Sequence, residues 1–203
     1  MLRVRITGLA LVAAFALSVV AASSASAFTL FLSEPANQMV SAGQLTTHKF
    51  EVGGASVECT TANFLGTAPG LSFTLFKTSF EYSGCTAFGF VGSTVHSNKC
   101  EYQLHISGLV DVECPSGKEI EILVNNGGPC ILKIPAQTGL EKVTYANITG
   151  KNGRGSVEIK IKAEKIKGTS NGKGIGCPAA GAITGTYTGT SDAEGETGSV
   201  SVD

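Results

Sequence analysis

The sequence predicts an all-β protein: a β-sandwich or flattened barrel of about ten antiparallel strands braced by three disulfides. Three observations carry that expectation. From Tyr82 to Ile122 apolar and polar residues alternate on both sides of short glycine-containing breaks, the period of a half-buried strand and not of a helix. Six cysteines, at 59, 85, 100, 114, 130 and 177, all follow a segment built like an export signal, a pattern that implies disulfides. Short alternating runs recur between turn signals, and no amphipathic helix follows the first 27 residues, which is the pattern of a sandwich or barrel.

The N-terminal stretch sets the expected compartment. Arg3 and Arg5 precede an apolar run from Leu9 to Ala22, and Ala25-Ser26-Ala27 supplies a small-x-small cleavage pattern. Residues 1–27 therefore read as a removed signal peptide and residues 28–203 as a single secreted β domain. The apolar run is shorter than the ~20 residues a spanning helix needs, and no transmembrane segment is expected after cleavage. The mature part carries 13 basic and 16 acidic residues, a net charge of −3. So weak a negative balance points away from nucleic acid, which calls for clustered Lys and Arg.

The mature chain opens on a strand from Phe28 to Leu32, turned at Pro35 and Asn37. Residues 46–52 and 55–59 flank Gly53-Gly54, a two-residue hairpin signal, with Ala55, Val57 and Cys59 inward and Ser56 and Glu58 outward. Leu71, Phe73 and Leu75 share one parity while Phe76, Phe80 and Tyr82 share the other, so a bulge near Phe76 or Lys77 is expected. The stretch through Phe88, Gly89, Phe90 and Gly92 reads as a loop folded over the core. Cys100, Tyr102, Leu104 and Ile106 form one face, and Val110, Val112 and Cys114 another. Joining them through Ser107-Gly108-Leu109 pairs Ile106 with Val110 and Tyr102 with Cys114, and sets Cys100 diagonal to Cys114. Ile120, Ile122 and Val124 precede a turn at Asn125-Asn126-Gly127-Gly128, and Cys130, Leu132 and Ile134 repeat the inward, cysteine-led pattern. Val143 with Tyr145, then Val157, Ile159 and Ile161, then Ile183, Gly185 and Tyr187, and finally Val200 with Val202 complete the strands.

Six cysteines allow many pairings, and the expectation is nearest-neighbour order: Cys59 with Cys85, Cys100 with Cys114, Cys130 with Cys177. Chain entropy assigns about 3 kcal/mol to the shortest loop and about 4 to the longest, before native strain.

The chain holds three histidines and three aspartates. A Ser-His-Asp triad has to draw on His48, His96 or His105 with Asp111, Asp192 or Asp203. His105 and Asp111 are placed outward on neighbouring strands, which reads as a solvated surface pair with no nucleophile marked beside it. His96, Cys100 and His105 are zinc-ligand types, but cysteine in an exported chain is more often bridged. Asp192, Glu194 and Glu196 alternate near glycines and offer oxygen ligands to calcium without the ordered spacing of a calcium loop. Lys160, Lys162, Lys165 and Lys167 form a basic stripe. Edge protection is its bland reading, and contact with an anionic wall polymer or lipid surface its sharp one. No metal or cofactor is expected.

Thr46-Thr47-His48-Lys49-Phe50, Cys59-Thr60-Thr61-Ala62, Tyr82-Ser83-Gly84-Cys85-Thr86-Ala87-Phe88-Gly89 and Cys114-Pro115-Ser116-Gly117-Lys118-Glu119-Ile120-Glu121-Ile122 resemble a set of small secreted paralogous proteins of soil actinobacteria of the Solirubrobacter type. The resemblance covers most of the mature chain. It implies export and a disulfide framework, and brings no activity, ligand or catalytic residue with it. The leading functional expectation is a non-enzymatic protein of the cell surface, with a binding or structural role and a cell-wall polymer or another surface protein as partner. A secreted effector or inhibitor acting on another organism, and a hydrolase with an unrecognised site, are the alternatives.

Overall fold

The computed structural model describes residues 28–125 and 127–203; the expected signal at residues 1–27 lies outside them. Fifteen strands are present among the described residues: β1 (Phe31–Glu34), β2 (Met39–Val52), β3 (Ala55–Thr67), β4 (Ser72–Phe73), β5 (Leu75–Ala87), β6 (Val91–His96), β7 (Glu101–His105), β8 (Leu109–Glu113), β9 (Ile120–Asn125), β10 (Pro129–Ile134), β11 (Gln137–Glu141), β12 (Val143–Thr149), β13 (Gly155–Ser170), β14 (Gly181–Gly195) and β15 (Ser199–Val202). No helix among these residues is long and apolar enough to cross a membrane.

The architecture is a closed barrel with added strands, not a ten-strand sandwich. Eight strands close antiparallel in the order β5-β3-β2-β14-β13-β10-β9-β6, and β6 returns to β5. Closure leaves no free edge around the ring. A branch β7-β8-β11 grows from the first half of β5, β12 lies along the first half of β13, and β15-β1-β4 form a separate three-stranded sheet.

Five strands of 13 to 16 residues, β2, β3, β5, β13 and β14, run through both the ring and the added layer. Each is bent or bulged at mid-height, and there the inward parity or register shifts. In β3 the buried set changes from Ala55, Val57 and Cys59 to Ala62 and Phe64; in β5 it changes from Phe76, Thr78 and Phe80 to Cys85 and Ala87. Gly84 adopts φ +60 at this bend, and a Cβ there would collide with the Thr60 hydroxyl. In β13 the register slips between Ala163 and Ile166, with Lys165 at φ 59; β2 slips between Gly43 and His48. One extra residue in a strand rotates the face and tightens the twist.

The Gly53-Gly54 hairpin forms with Val52 opposite Ala55, both glycines at positive φ as a type I′ turn requires. Four local expectations are corrected. The first strand runs from Phe31 to Glu34, not from Phe28. No bulge occurs at Phe76 or Lys77, because the parity change there is a break at Thr74 between two different sheets. The β7–β8 register is Tyr102 opposite Val112 and Leu104 opposite Val110, since the loop is Ile106-Ser107-Gly108. That loop places Gly108, at φ +89, in the left-handed third position that only glycine takes without strain. Cys100 therefore sits opposite Cys114 and not diagonal to it. In the loop after β5, Phe88 packs on the core but Phe90 is 79% exposed.

Three disulfides join Cys59 to Cys85, Cys100 to Cys114 and Cys130 to Cys177. The first links residues directly opposite on β3 and β5. Such bracing belongs to an oxidising compartment.

Candidate functional site

Two places concentrate polar chemistry: the middle of the barrel and a groove on its outer wall. Inside, at the height of the bulges, His48 is 2% exposed. Its Nδ1 lies 2.5 Å from the Tyr187 hydroxyl, which lies 2.5 Å from that of Tyr82, and Tyr82 is 3.3 Å from Tyr102. On the other side of the ring Nε2 faces Ser191 Oγ at 3.1 Å and the Thr190 carbonyl at 3.4 Å. A carbonyl only accepts, so Nε2 carries the proton and Nδ1 accepts from Tyr187. The chain then runs in one direction, with Tyr102 donating to Tyr82, Tyr82 to Tyr187 and Tyr187 to His48. Phe80 stacks on Tyr102 with ring centroids 4.2 Å apart.

Burial lowers the His48 pKa to about 4, only partly opposed by its bond to Thr190, and raises Tyr102 to about 12 and Tyr82 and Tyr187 well above the usual phenol range. All four groups are neutral near pH 7. The cavity beside them has a volume of ≈ 60 Å³ and walls such as Phe50, Val57, Ile122 and Ile166. That is room for about two waters and well below the ~150 Å³ that admits benzene. The interior is a packed core with a polar spine rather than a ligand chamber.

The outer groove is different in size and lining. It has a volume of ≈ 850 Å³ and crosses the outward face of β5, β3, β2 and β14. Cross-strand register builds its floor: Glu81 faces Asn63, Asn63 faces Gly43 and Gly43 faces Asp192, while Ser79, Leu65, Ser41 and Glu194 make the adjacent row. Ser97, Lys99 and Glu101 enter beside β5, where that strand changes partner from β7 to β6, and Lys151 enters beside β14 from the β12–β13 turn. Gly43 leaves the floor open, since a Cβ there would meet nothing within 4 Å.

Asp192 is 5% exposed, and its Oδ1 has no hydrogen-bond partner. Burial raises its pKa; the nearby Ser156 hydroxyl works against that, and the Glu194 charge adds to it. Ser156 Oγ is likewise buried without a partner at hydrogen-bonding distance. Glu194 is tied down by one oxygen, which accepts the Lys151 backbone N–H at 2.7 Å.

The residues singled out from sequence are scattered. His105 and Asp111 form a 2.9 Å pair whose side chains are 31% and 18% exposed; Asp111 also accepts the Gly139 N–H. His96 is exposed, and Cys100 is consumed by its disulfide. No group of three potential metal-ligating side chains exists among the described residues. Of the acidic trio Asp192, Glu194 and Glu196, the last lies beyond the end of β14 at Gly195 and leaves the face its two neighbours share. Asp203 caps the chain end against Leu30. Lys160, Lys162, Lys165 and Lys167 are all exposed, with Lys162 3.8 Å from Glu164. β12 pairs β13 only as far as Ile161 and β10 only from Thr169, so Lys160 stands between two strands while Lys162, Lys165 and Lys167 lie on the stretch whose one partner strand is β14.

The sequence reading missed the tyrosine chain and the groove. The signal for the first was Thr-Gly-Thr-Tyr-Thr-Gly-Thr, whose Gly185 and Gly189 make room for the Phe50 and His48 rings. The groove is assembled from outward residues of four strands and has no local signature. Comparison with family models, with curated proteins and with solved structures finds no match to this chain.

Proposed function

We propose that this chain is a non-enzymatic, exported barrel protein that acts by binding at the cell surface, with the groove across β5, β3, β2 and β14 as its contact surface. The observation that carries the reading is the groove itself: ≈ 850 Å³ of concave, mixed polar surface on a barrel whose interior is already filled. Large concavities with a few convergent polar groups are the default place to look for a ligand. The disulfides support an oxidising, extracellular setting. A wall polymer is the partner class this setting favours.

Retention of the oxidised protein on purified cell wall at low salt tests the reading. Asn63 is exposed on the groove floor, and Asn63→Trp fills the groove without touching the core. The wild type is expected to be retained and Asn63→Trp to wash through with its fold intact. No retention of the wild type overturns the proposal. Loss only in a Lys160→Glu/Lys162→Glu variant transfers the contact to the lysine stripe of β13.

A further inference from the structure

The groove carries a feature that specifies its ligand chemistry, and the step taken here rests on the groove being the binding surface. We infer that the groove recognises a ligand bearing a primary ammonium group, with Asp192 as its anchor.

A carboxylate that is 5% exposed and has an oxygen without a hydrogen-bond partner is costly to keep. The neighbouring Ser156 hydroxyl lowers the Asp192 pKa but does not reach hydrogen-bonding geometry, which leaves a metal ion, a water or a cationic donor to satisfy the oxygen. A divalent metal lacks ligands here. One Glu194 oxygen is already taken by Lys151 N, and no group of three metal-ligating side chains is gathered around Asp192 among the described residues. An ammonium group needs less, because three point acceptors around one nitrogen suffice.

The local charge has the right sign. The groove lining includes Glu81, Glu101, Asp192 and Glu194 against Lys99 and Lys151, and Glu158 stands opposite Asp192 on β13. None of the ion pairs among the described residues uses Asp192 or Glu194; the Lys151 charge acts on Asp192 from beyond ion-pair distance. The shape suits a linear stem. Gly43 leaves open space beside Asp192, and Leu65, 46% exposed in the adjacent row, offers apolar surface to methylenes in the way lysine stems use such surface.

The test uses the full oxidised protein and 1,5-diaminopentane as the probe, read by calorimetry and by amide chemical shifts at Gly43, Asn63 and Asp192. Saturable binding is expected, with 1,5-pentanediol, the neutral analogue of the same length, failing to bind. Asp192→Asn keeps the shape and removes the charge; it is expected to weaken diamine binding by about tenfold or more. Equal binding of the diol, undiminished binding by Asp192→Asn, or no saturable binding of the diamine overturns the inference. Wall retention separates this outcome from failure of the groove reading. If wild type is retained, Asn63→Trp is not, and acetylation of the wall's free amines changes nothing, the groove binds but not through ammonium. If acetylation abolishes retention of the wild type, the inference gains its ligand.

Discussion

Gly189 is what lets His48 stand inside the barrel, because a Cβ at that position would fall within the imidazole ring's contact radius. The ring cannot swing away, held as it is between Tyr187 and Ser191. Gly189→Ala is therefore expected to destabilise by about 1–3 kcal/mol through overpacking, seen as a lower denaturant midpoint with an unchanged slope. Tyr187→Phe removes the donor to His48 and the acceptor for Tyr82 at once. Two buried polar atoms lose their partners, at a cost of about 1–3 kcal/mol each. His48 also makes stability depend on pH. Its folded pKa of about 4 lies below the ordinary 6.5, so the unfolded chain takes up a proton that the folded chain refuses. Stability is full above pH ~6.5 and falls as pH drops towards ~4, by about 3 kcal/mol from this group alone. Glu113, Glu121 and Glu164, hydrogen-bonded by Lys77, Lys133 and Lys142, are held below the usual carboxylate range, and the comparison with His48→Gln cancels their share because it is common to both proteins. Asp192, with its raised pKa, acts in the opposite direction, since protonation relieves a buried charge. Urea midpoints from pH 7 to 4 for wild type and His48→Gln isolate the histidine as their difference; parallel profiles would remove it as the cause. The same reasoning makes Asp192→Asn more stable than wild type at pH 7, a stability given up for a binding group.

The long strands explain what was legible in the sequence and what was not. Where a strand keeps one parity, the pattern is readable: Ala55, Val57 and Cys59, or Cys130, Leu132 and Ile134, point inward as their alternation implies. The Gly53-Gly54 turn was legible for the same local reason. Where a strand bends, local periodicity stops being informative. Residues 155–170 form one strand, yet Val157, Ile159, Ile161 and Ala163 alternate on one parity and Ile166, Gly168 and Ser170 on the other, because the bulge at Lys165 turns the second half about. Barrel closure was illegible for a deeper reason: it rests on pairings between residues far apart, such as Ser93 with Val124, and no short window records them. Asp192 was visible as an acidic position but its burial was not, since that depends on the neighbouring strands β2 and β13 and on the β12–β13 turn. The bulge itself makes a prediction. Lys165 holds φ 59, a conformation that costs a non-glycine residue about 1–2 kcal/mol and a β-branched one more. Lys165→Val is expected to destabilise by about 1–2 kcal/mol, whereas Lys165→Gly is neutral or slightly stabilising, the strain relief being offset by glycine's greater unfolded freedom. Thermal midpoints of the two variants decide it, and equal effects would mean that the bulge is not what constrains this position.

At the scale of the whole molecule, the ring has a thin seam. β13 and β14 share thirteen paired positions, but β10 and β13 share only two, Leu132 with Ser170 and Lys133 with Thr169. Side chains extend that short ladder at both ends. Asn171 accepts the Ile131 N–H through Oδ1 at 3.0 Å and donates to the Pro129 carbonyl at 2.8 Å, while Gln137 accepts the Lys167 N–H at 2.9 Å and donates to the Lys167 carbonyl at 3.1 Å. Both amides imitate a backbone pair, and the Cys130–Cys177 bridge ties β10 to the β13–β14 connection beside them. A closed barrel is only as closed as its weakest pairing, so opening is expected to begin here rather than at the long β2–β3–β14 ladders. Removing the bridge with Cys130→Ser/Cys177→Ser is expected to cost about 4 kcal/mol by chain entropy, and to open the β9–β10 hairpin locally before the rest unfolds. Native-state hydrogen exchange reads this directly: amides of Ile131 and Lys133 should lose protection in the variant by more than those of Phe50 and Val57. Uniform loss across both sets would show that the bridge acts only on the unfolded chain. Selective loss would assign it a second role, holding shut the seam at which the ring has its fewest paired positions.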